Sequence, residues 1–200
     1  MKLYYTPGAC SLAVHIACRE AGLAPQLVRV DLATRRTESG EDFDQINPRG
    51  YVPVLELDNG SRHTEAAALL QWIGENHSLL PAHGTPARME ALEWLTFIAT
   101  ELHKGFGPLF NPAIDAATRE ATVAKLLRRF GTVERHLATR DWLAGNGFSV
   151  VDVYAFTILG WGQFFKMELS PFPRVLGYLQ RIGQRPAVFA ALQAEGLVPA

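Results

Sequence analysis

Cysteine is scarce in this chain. Two thiols, Cys10 and Cys18, occur in 200 residues, with no C-x-x-C pair and no Cys/His spacing of a zinc site. Neither a dithiol redox pair nor a structural metal is expected. On one helix the two cysteines are separated by a rise of about 12 Å, whereas a disulfide needs α-carbons within about 7 Å, so they do not bridge each other. Long apolar runs are also missing, and none approaches the length that spans a bilayer. The N-terminus carries one lysine and runs into Pro7 and Gly8 without the apolar stretch of a secretory signal, so a soluble, cytoplasmic protein is expected. Nor is there an excess of charge of either sign. Lys and Arg number 19 against 20 Asp and Glu, and basic residues cluster no further than Arg35-Arg36 and Arg128-Arg129, which argues against nucleic acid as a partner. Repeats and low-complexity segments are absent as well.

What the chain has is apolar content punctuated by turn residues. At 48% hydrophobic it can bury a sizeable core, as one large domain or two small ones. KLYY (2–5) reads as a short strand, Pro7-Gly8 as a turn, and SLAVHIACREAG from Ser11 as an amphipathic helix stopped by Gly22. QLVRV reads as a second strand, and a helical crossover between two strands leaves them parallel. A polar loop and a short helical piece ending at Asn47-Pro48 follow. VPVLEL and SRH then flank the turn DNG as two antiparallel strands, before the helix TEAAALLQWIGENH. The order is β-α-β-α-β-β-α.

Composition changes at SLLPAHGTPARME, where two prolines and a glycine fall within a few residues and every later pattern is helical. The expected organisation is an α/β domain over residues 1–78, a linker over 79–87 and an all-α helical bundle over 88–200. Within the bundle Val123, Leu126, Leu127, Phe130, Val133 and Leu137 recur at three-four spacing. Ser149, with Asp152 three residues on, reads as a capping box that uses the shorter acid.

Several local settings carry chemistry. Cys10 sits between a Pro-Gly turn and a helix start, where orphan N–H groups and the helix dipole stabilise a thiolate and lower its pKa from about 8.5. Cys18 fits the usual small buried hydrophobe. The residue before a proline is biased to extended geometry, so Val52 can offer N–H and C=O to an extended peptide as a sheet edge does; alternatively, Pro53 merely opens an edge strand. At the helix start after Thr64, backbone donors suit a carboxylate while Glu65 suits an ammonium, the two charges of one amino-acid group. A helix cap plus a dipole-favoured acid is the plainer alternative. His103 and Lys104 end the helix RMEALEWLTFIATELHK, with Thr96 seven residues earlier on nearly the same face; as a basic pair they also simply complement the dipole. Trp161, Phe164, Phe165 and Trp72 either line an apolar pocket or fill core. Arg35 alone reads as a solvated charge.

Together these features resemble a cytosolic glutathione S-transferase. The carriers are a small αβ domain in thioredoxin-like order, a Val-Pro opening the third strand, TEA at a helix start and an all-helical second domain. Cys10 in TPGACS, the run ELHKGF and the stretch GNGFSVVDVYAFTILGWG make the chain most similar to the bacterial beta class, over essentially its whole length. The resemblance implies a thioredoxin-like N-terminal domain joined to an all-α C-terminal domain, glutathione as co-substrate, no metal, and a homodimer. It implies conjugation of glutathione to hydrophobic electrophiles held by the helical domain, with thiol-disulfide exchange through Cys10 as a second activity. It assigns catalytic roles to Cys10, Ser11 and His103. Glutathione contacts are implied for Cys10, Arg35, Tyr51, Val52, Pro53, Glu65, Ala66, Thr96, His103 and Lys104. In that assignment Val52 pairs with the cysteinyl backbone beside a cis Pro53, Glu65 and Ala66 take the γ-glutamyl group, and Arg35 reaches the glycine carboxylate. Tyr51 stands where relatives carry glutamine, and its hydroxyl is expected to replace that side chain's hydrogen bond to the peptide. Ala66 offers only its backbone N–H where relatives present a hydroxyl or glycine, and Thr96 stands in place of asparagine. A glutathione-dependent dehalogenase, isomerase or disulfide reductase, and a non-catalytic ligand carrier of the same fold, remain open, because fold alone does not fix function.

Overall fold

Five short segments assemble one sheet: β1 (Lys2–Tyr5), β2 (Gln26–Asp31), β3 (Arg36–Thr37), β4 (Val54–Glu56) and β5 (Arg62–Thr64), in the order β3-β2-β1-β4-β5. β1 and β2 run parallel, joined by α1 (Ser11–Glu20), and the remaining pairs are antiparallel. The two-residue β3 falls in what the sequence presents as polar loop. It is too short to carry an alternating pattern and pairs Arg36 with Asp31 and Thr37 with Val30. Side-chain alternation sends Tyr4 and Val54 to one face, where with Val30, Val52 and Phe43 of α2 (Phe43–Ile46) they form a buried cluster. Leu3 and Leu55 point to the opposite face and are fully buried. α3 (Ala66–Asn76) packs against α1.

This computed structural model describes residues 1–199 and divides into two compact units: 1–79 together with the residues from Arg185 onward, and 80–184. In the second unit α4 (Pro86–Phe97) runs into a π-helical turn, Ile98–His103, then α5 (Lys104–Phe106) and a 3-10 turn, Gly107–Phe110. The expectation of one regular α-helix through His103 and Lys104 is therefore corrected. Lys104 N–H bonds Ala99 C=O, five residues back, because an extra residue is accommodated in this turn. α6 (Ala116–His136), α7 (Val150–Phe164) and α8 (Pro173–Gly183) complete the unit. The three-four spacing on α6 buries Leu126, Phe130 and Val133. Ser149 caps α7 as its sequence indicates: its hydroxyl accepts from Val151 N–H at 3.2 Å, and Asp152 accepts from Ser149 N–H at 2.9 Å. Leu143 N–H and Tyr178 O–H also donate to the fully buried Asp152, at 3.0 and 2.7 Å. Burial pushes the Asp152 carboxyl above the ordinary range, against the pull of these hydrogen bonds.

The last helix, α9 (Pro186–Ala194), groups with the first unit and packs on α1. Glu195, at its C-cap, has a fully buried side chain that accepts from Gly8 N–H and pairs with His15 Nδ1, both at 2.9 Å. Arg19 Nε donates to His15 Nε2 at 3.0 Å, so the proton His15 shares with Glu195 lies on Nδ1. At the other end of α9, Arg185 grips Glu20 with two bonds of 2.7 and 2.8 Å. Among the described residues no helix is long and apolar enough to cross a membrane, and no group of three or more His, Cys, Asp or Glu could hold a metal.

Candidate active site

The turn between β1 and α1 sets Cys10 at the N-cap of α1, with φ −60° and ψ −18°. Its side chain is partly exposed, and its thiol donates to Val52 C=O at 3.4 Å. A thiol at a helix start and the backbone edge before Pro53 are thus brought side by side. Cys18, two turns on, is fully buried, and burial pushes its thiol up to about 12. Ser11 is placed differently from its neighbour. Its hydroxyl accepts from Thr6 N–H and donates to Thr6 C=O, both at 3.2 Å, and the residue is completely buried. That hydroxyl closes the turn on which Cys10 rides and presents nothing at the surface.

The peptide bond between Val52 and Pro53 is cis. Among the described residues no acceptor takes the Val52 N–H. Glu65 is the N-cap of α3 but makes no side-chain capping bond. It adopts φ 71° and ψ 107°, a conformation that costs a non-glycine residue on the order of 1–3 kcal/mol and persists where the surroundings over-determine it. The first N–H groups of α3, beginning with that of Ala66, have no carbonyl within the helix to meet. Tyr51 O–H donates to Glu65 Oε1 at 2.5 Å, and Arg49 Nη1 lies 3.5 Å from the same oxygen and 2.8 Å from Thr64 Oγ1. Tyr51 therefore meets Glu65, where a bond to a peptide ligand was expected, and donation to a carboxylate raises its phenol's pKa. Arg49 and Thr64 escaped sequence reading because nothing local marks an Arg in a loop as the neighbour of a strand fifteen residues on. Arg35, at φ 57°, pairs with Asp44 at 2.8 Å and covers Gly50, where a Cβ would stand 1.8 Å from its guanidinium nitrogen.

In the second unit Thr96 is exposed and donates to Leu92 C=O at 2.8 Å, while Lys104 is exposed just past the π-helical turn. His103, at the end of that turn, is half-buried. Its Nδ1 lies 2.8 Å from Tyr154 Oη, and its ring meets the Trp161 ring edge-on at 5.2 Å. The intervening turn changes the phase of the helix, so Thr96 and His103 do not share one α-helical face. Trp161 and Phe165 belong to an aromatic cluster with Phe106 and Phe110, and Phe164 stacks edge-on against Phe165 while staying largely exposed. Trp72 belongs elsewhere. It lines a pocket of about 170 Å³ in the first unit, with Leu55, Leu57, His63 and Leu69.

A parallel-antiparallel sheet with a thiol at its first helix start, a cis-proline edge beside that thiol, and a separate helical unit together define a thioredoxin-like domain joined to an all-α domain. Residues 8–76 match the glutathione S-transferase N-terminal domain, and residues 97–186 the glutathione S-transferase C-terminal domain. The chain is 42% identical to glutathione S-transferase GstA of Escherichia coli O157:H7, over 98% of this chain and all of that relative. A sphingomonad glutathione S-transferase complexed with glutathione superposes with a TM-score of 0.94 at 45% identity, covering 99% of this chain and 100% of that one. The beta-class glutathione S-transferase of Sphingomonas chungbukensis gives 0.95 at 44% identity, with the same coverage. The chain belongs to the glutathione S-transferase family, and its likeness is to the bacterial beta class.

Proposed function

We propose that the chain binds glutathione along Val52 and Pro53 and catalyses attack of its thiolate on hydrophobic electrophiles. The observation that carries this reading is the juxtaposition of the helix-start thiol of Cys10 with the Val52 carbonyl, 3.4 Å apart, in the same unit as Glu65 at the N-cap position of α3. The Val52 backbone pairs with the cysteinyl segment of the tripeptide. The γ-glutamyl carboxylate meets the N–H groups opening α3 from Ala66, and its ammonium meets Glu65. Arg35 serves the glycine carboxylate. In conjugation a carbon–sulfur bond forms as the leaving group departs with its electron pair, and the thiol proton passes to solvent.

His103, Lys104 and Thr96 are assigned to the same ligand by family resemblance. The aromatic cluster around Trp161 and Phe165 is the proposed acceptor of the electrophile. The protein is further proposed to act in the cytoplasm as a homodimer; light scattering that reports a single-chain mass at micromolar concentration would refute the dimer. Ser11, with its hydroxyl closed into the turn, has the role of shaping the Cys10 turn.

Calorimetry with glutathione tests the reading. Glu65→Ala is expected to weaken binding by about tenfold or more, since a charge-assisted hydrogen bond contributes about 1.5–3 kcal/mol. Unchanged affinity would remove Glu65 from the site. An assay with activated aryl halides should show turnover that falls on His103→Ala; binding without turnover across several electrophile classes would favour the ligand carrier.

Thiol-disulfide exchange is a second reading, favoured by the position of Cys10 at the N-terminus of α1. Here the Cys10 thiolate attacks one sulfur of glutathione disulfide, the sulfur–sulfur bond breaks, and one glutathione leaves as thiolate. A different small thiol, as thiolate, then attacks the glutathione sulfur of the mixed disulfide, and Cys10 leaves as thiolate, so the net reaction moves one glutathione onto that thiol.

A further inference from the structure

Resting on the glutathione reading above, we infer that Tyr51 is a positioning residue for the glutamyl ammonium: its hydroxyl holds Glu65 Oε1 and so aims Oε2 at the ligand. The bond is 2.5 Å long, at the short end of the range for a hydroxyl donating to a carboxylate. Among the described residues no donor reaches Oε2. An ionised carboxylate has about four lone-pair sites. One neutral donor on one oxygen therefore fixes the group's orientation without cancelling the charge an ammonium needs.

The tyrosine is itself held. Asn47, buried to 4% exposure, donates through Nδ2 to Tyr51 C=O at 2.7 Å, and accepts at Oδ1 from Arg49 N–H at 3.2 Å. Gly50 N–H bonds Asn47 C=O at 2.8 Å. The loop from Asn47 to Tyr51 is thus folded about one buried amide, which presents the phenol to Glu65 at a fixed height. On the other side, the left-handed backbone of Glu65 limits where its carboxylate can go. Both partners are set by backbone, and the hydroxyl supplies the link between them. Arg49 approaches the same oxygen at 3.5 Å, but a pair in which both side chains are more than half exposed contributes little in water.

A merely structural tyrosine would affect every ligand alike, whereas a positioning one affects only ligands that carry the ammonium. The test is calorimetry on the full-length protein with glutathione and with its analogue lacking the α-amino group. Tyr51→Phe keeps the ring and removes the hydroxyl. It is expected to weaken glutathione about fivefold, through the lost orientation of the Glu65 carboxylate, and to leave the des-amino analogue unchanged. The loss should appear in KM for glutathione rather than in kcat. It should vanish in the Glu65→Ala background, where there is no carboxylate to orient, and Tyr51→Gln, which restores a donor, should recover part of it. Equal loss for both ligands, or tighter glutathione binding in Tyr51→Phe, would overturn the positioning role while leaving the glutathione reading intact. Failure of the unaltered protein to bind glutathione at all would overturn that reading, and this inference with it.

Discussion

The carboxylate of Glu195 accepts the N–H of Gly8 at 2.9 Å, across a sequence separation of 187 residues. The last helix of the chain thereby fastens the turn that carries Cys10. His15 and Arg19 extend the arrangement along α1, so the thiol-bearing turn, the first helix and the C-terminus form one hydrogen-bonded unit.

Glu195→Ala removes the carboxylate that accepts from the part-buried Gly8 N–H and from the buried His15 Nδ1–H. The expected cost is about 2 kcal/mol in urea unfolding, since a buried group left unsatisfied costs about 1–3 kcal/mol. Hydrogen exchange supplies a local readout: the Gly8 amide should lose protection in the variant. Unchanged protection at Gly8 would mean that the turn holds without the C-terminal acid.

Of the two thiols, only Cys10 should react in the native protein. Incubation with glutathione disulfide followed by peptide mass mapping should place the adduct on Cys10, with Cys18 labelled after denaturation. Equal labelling of both would contradict a thiol distinguished by its place at a helix start. If Cys10→Ala abolishes exchange and keeps part of the conjugation, the cysteine serves the redox chemistry; complete loss of conjugation with binding retained would make it indispensable to both.

Cys18 also predicts an alkaline limit to stability. Its folded value of about 12 lies above its ordinary 9.0, so the stability this thiol contributes is complete below pH 9 and is lost as pH rises toward 12. At pH 10 the deficit is about 1.4 kcal/mol, from one pH unit above the unfolded value. Cys18→Ala should therefore show a shallower fall of unfolding free energy between pH 9 and 11 than the unaltered chain. Parallel profiles would place the alkaline loss on other groups.

Asp152 is expected to be the costliest single polar position in the helical unit. Asp152→Ala strips the acceptor from Leu143 N–H, Ser149 N–H and Tyr178 O–H together, a loss on the order of 4 kcal/mol. Because its folded pKa is raised, the stability tied to its neutral form is present at acid pH and declines as pH rises through the folded value. Asp152→Asn should lack that decline in a thermal-unfolding series, although its amide meets the same donors less well. An identical pH profile would show that the carboxyl carries no such linkage.

What lay within reach of short-range rules was legible in the sequence. Ser149 and Asp152, three residues apart, specify a helix start wherever they occur, and Gly22 stops α1 because a left-handed φ of 71° is open to glycine at little cost. The strand-helix-strand order and the thiol at the first helix start follow from such local chemistry. Tertiary structure decided what depends on partners distant in sequence or on a small insertion in a regular element. Tyr51 turned to Glu65, and α9 joined the first unit, because their partners lie on other elements, which periodicity cannot pair. The π-helical turn before Lys104 escaped for a related reason. One extra residue in a helix leaves the apolar spacing nearly intact while rotating everything beyond it, so composition and period are the same on either reading and only the packed backbone distinguishes them.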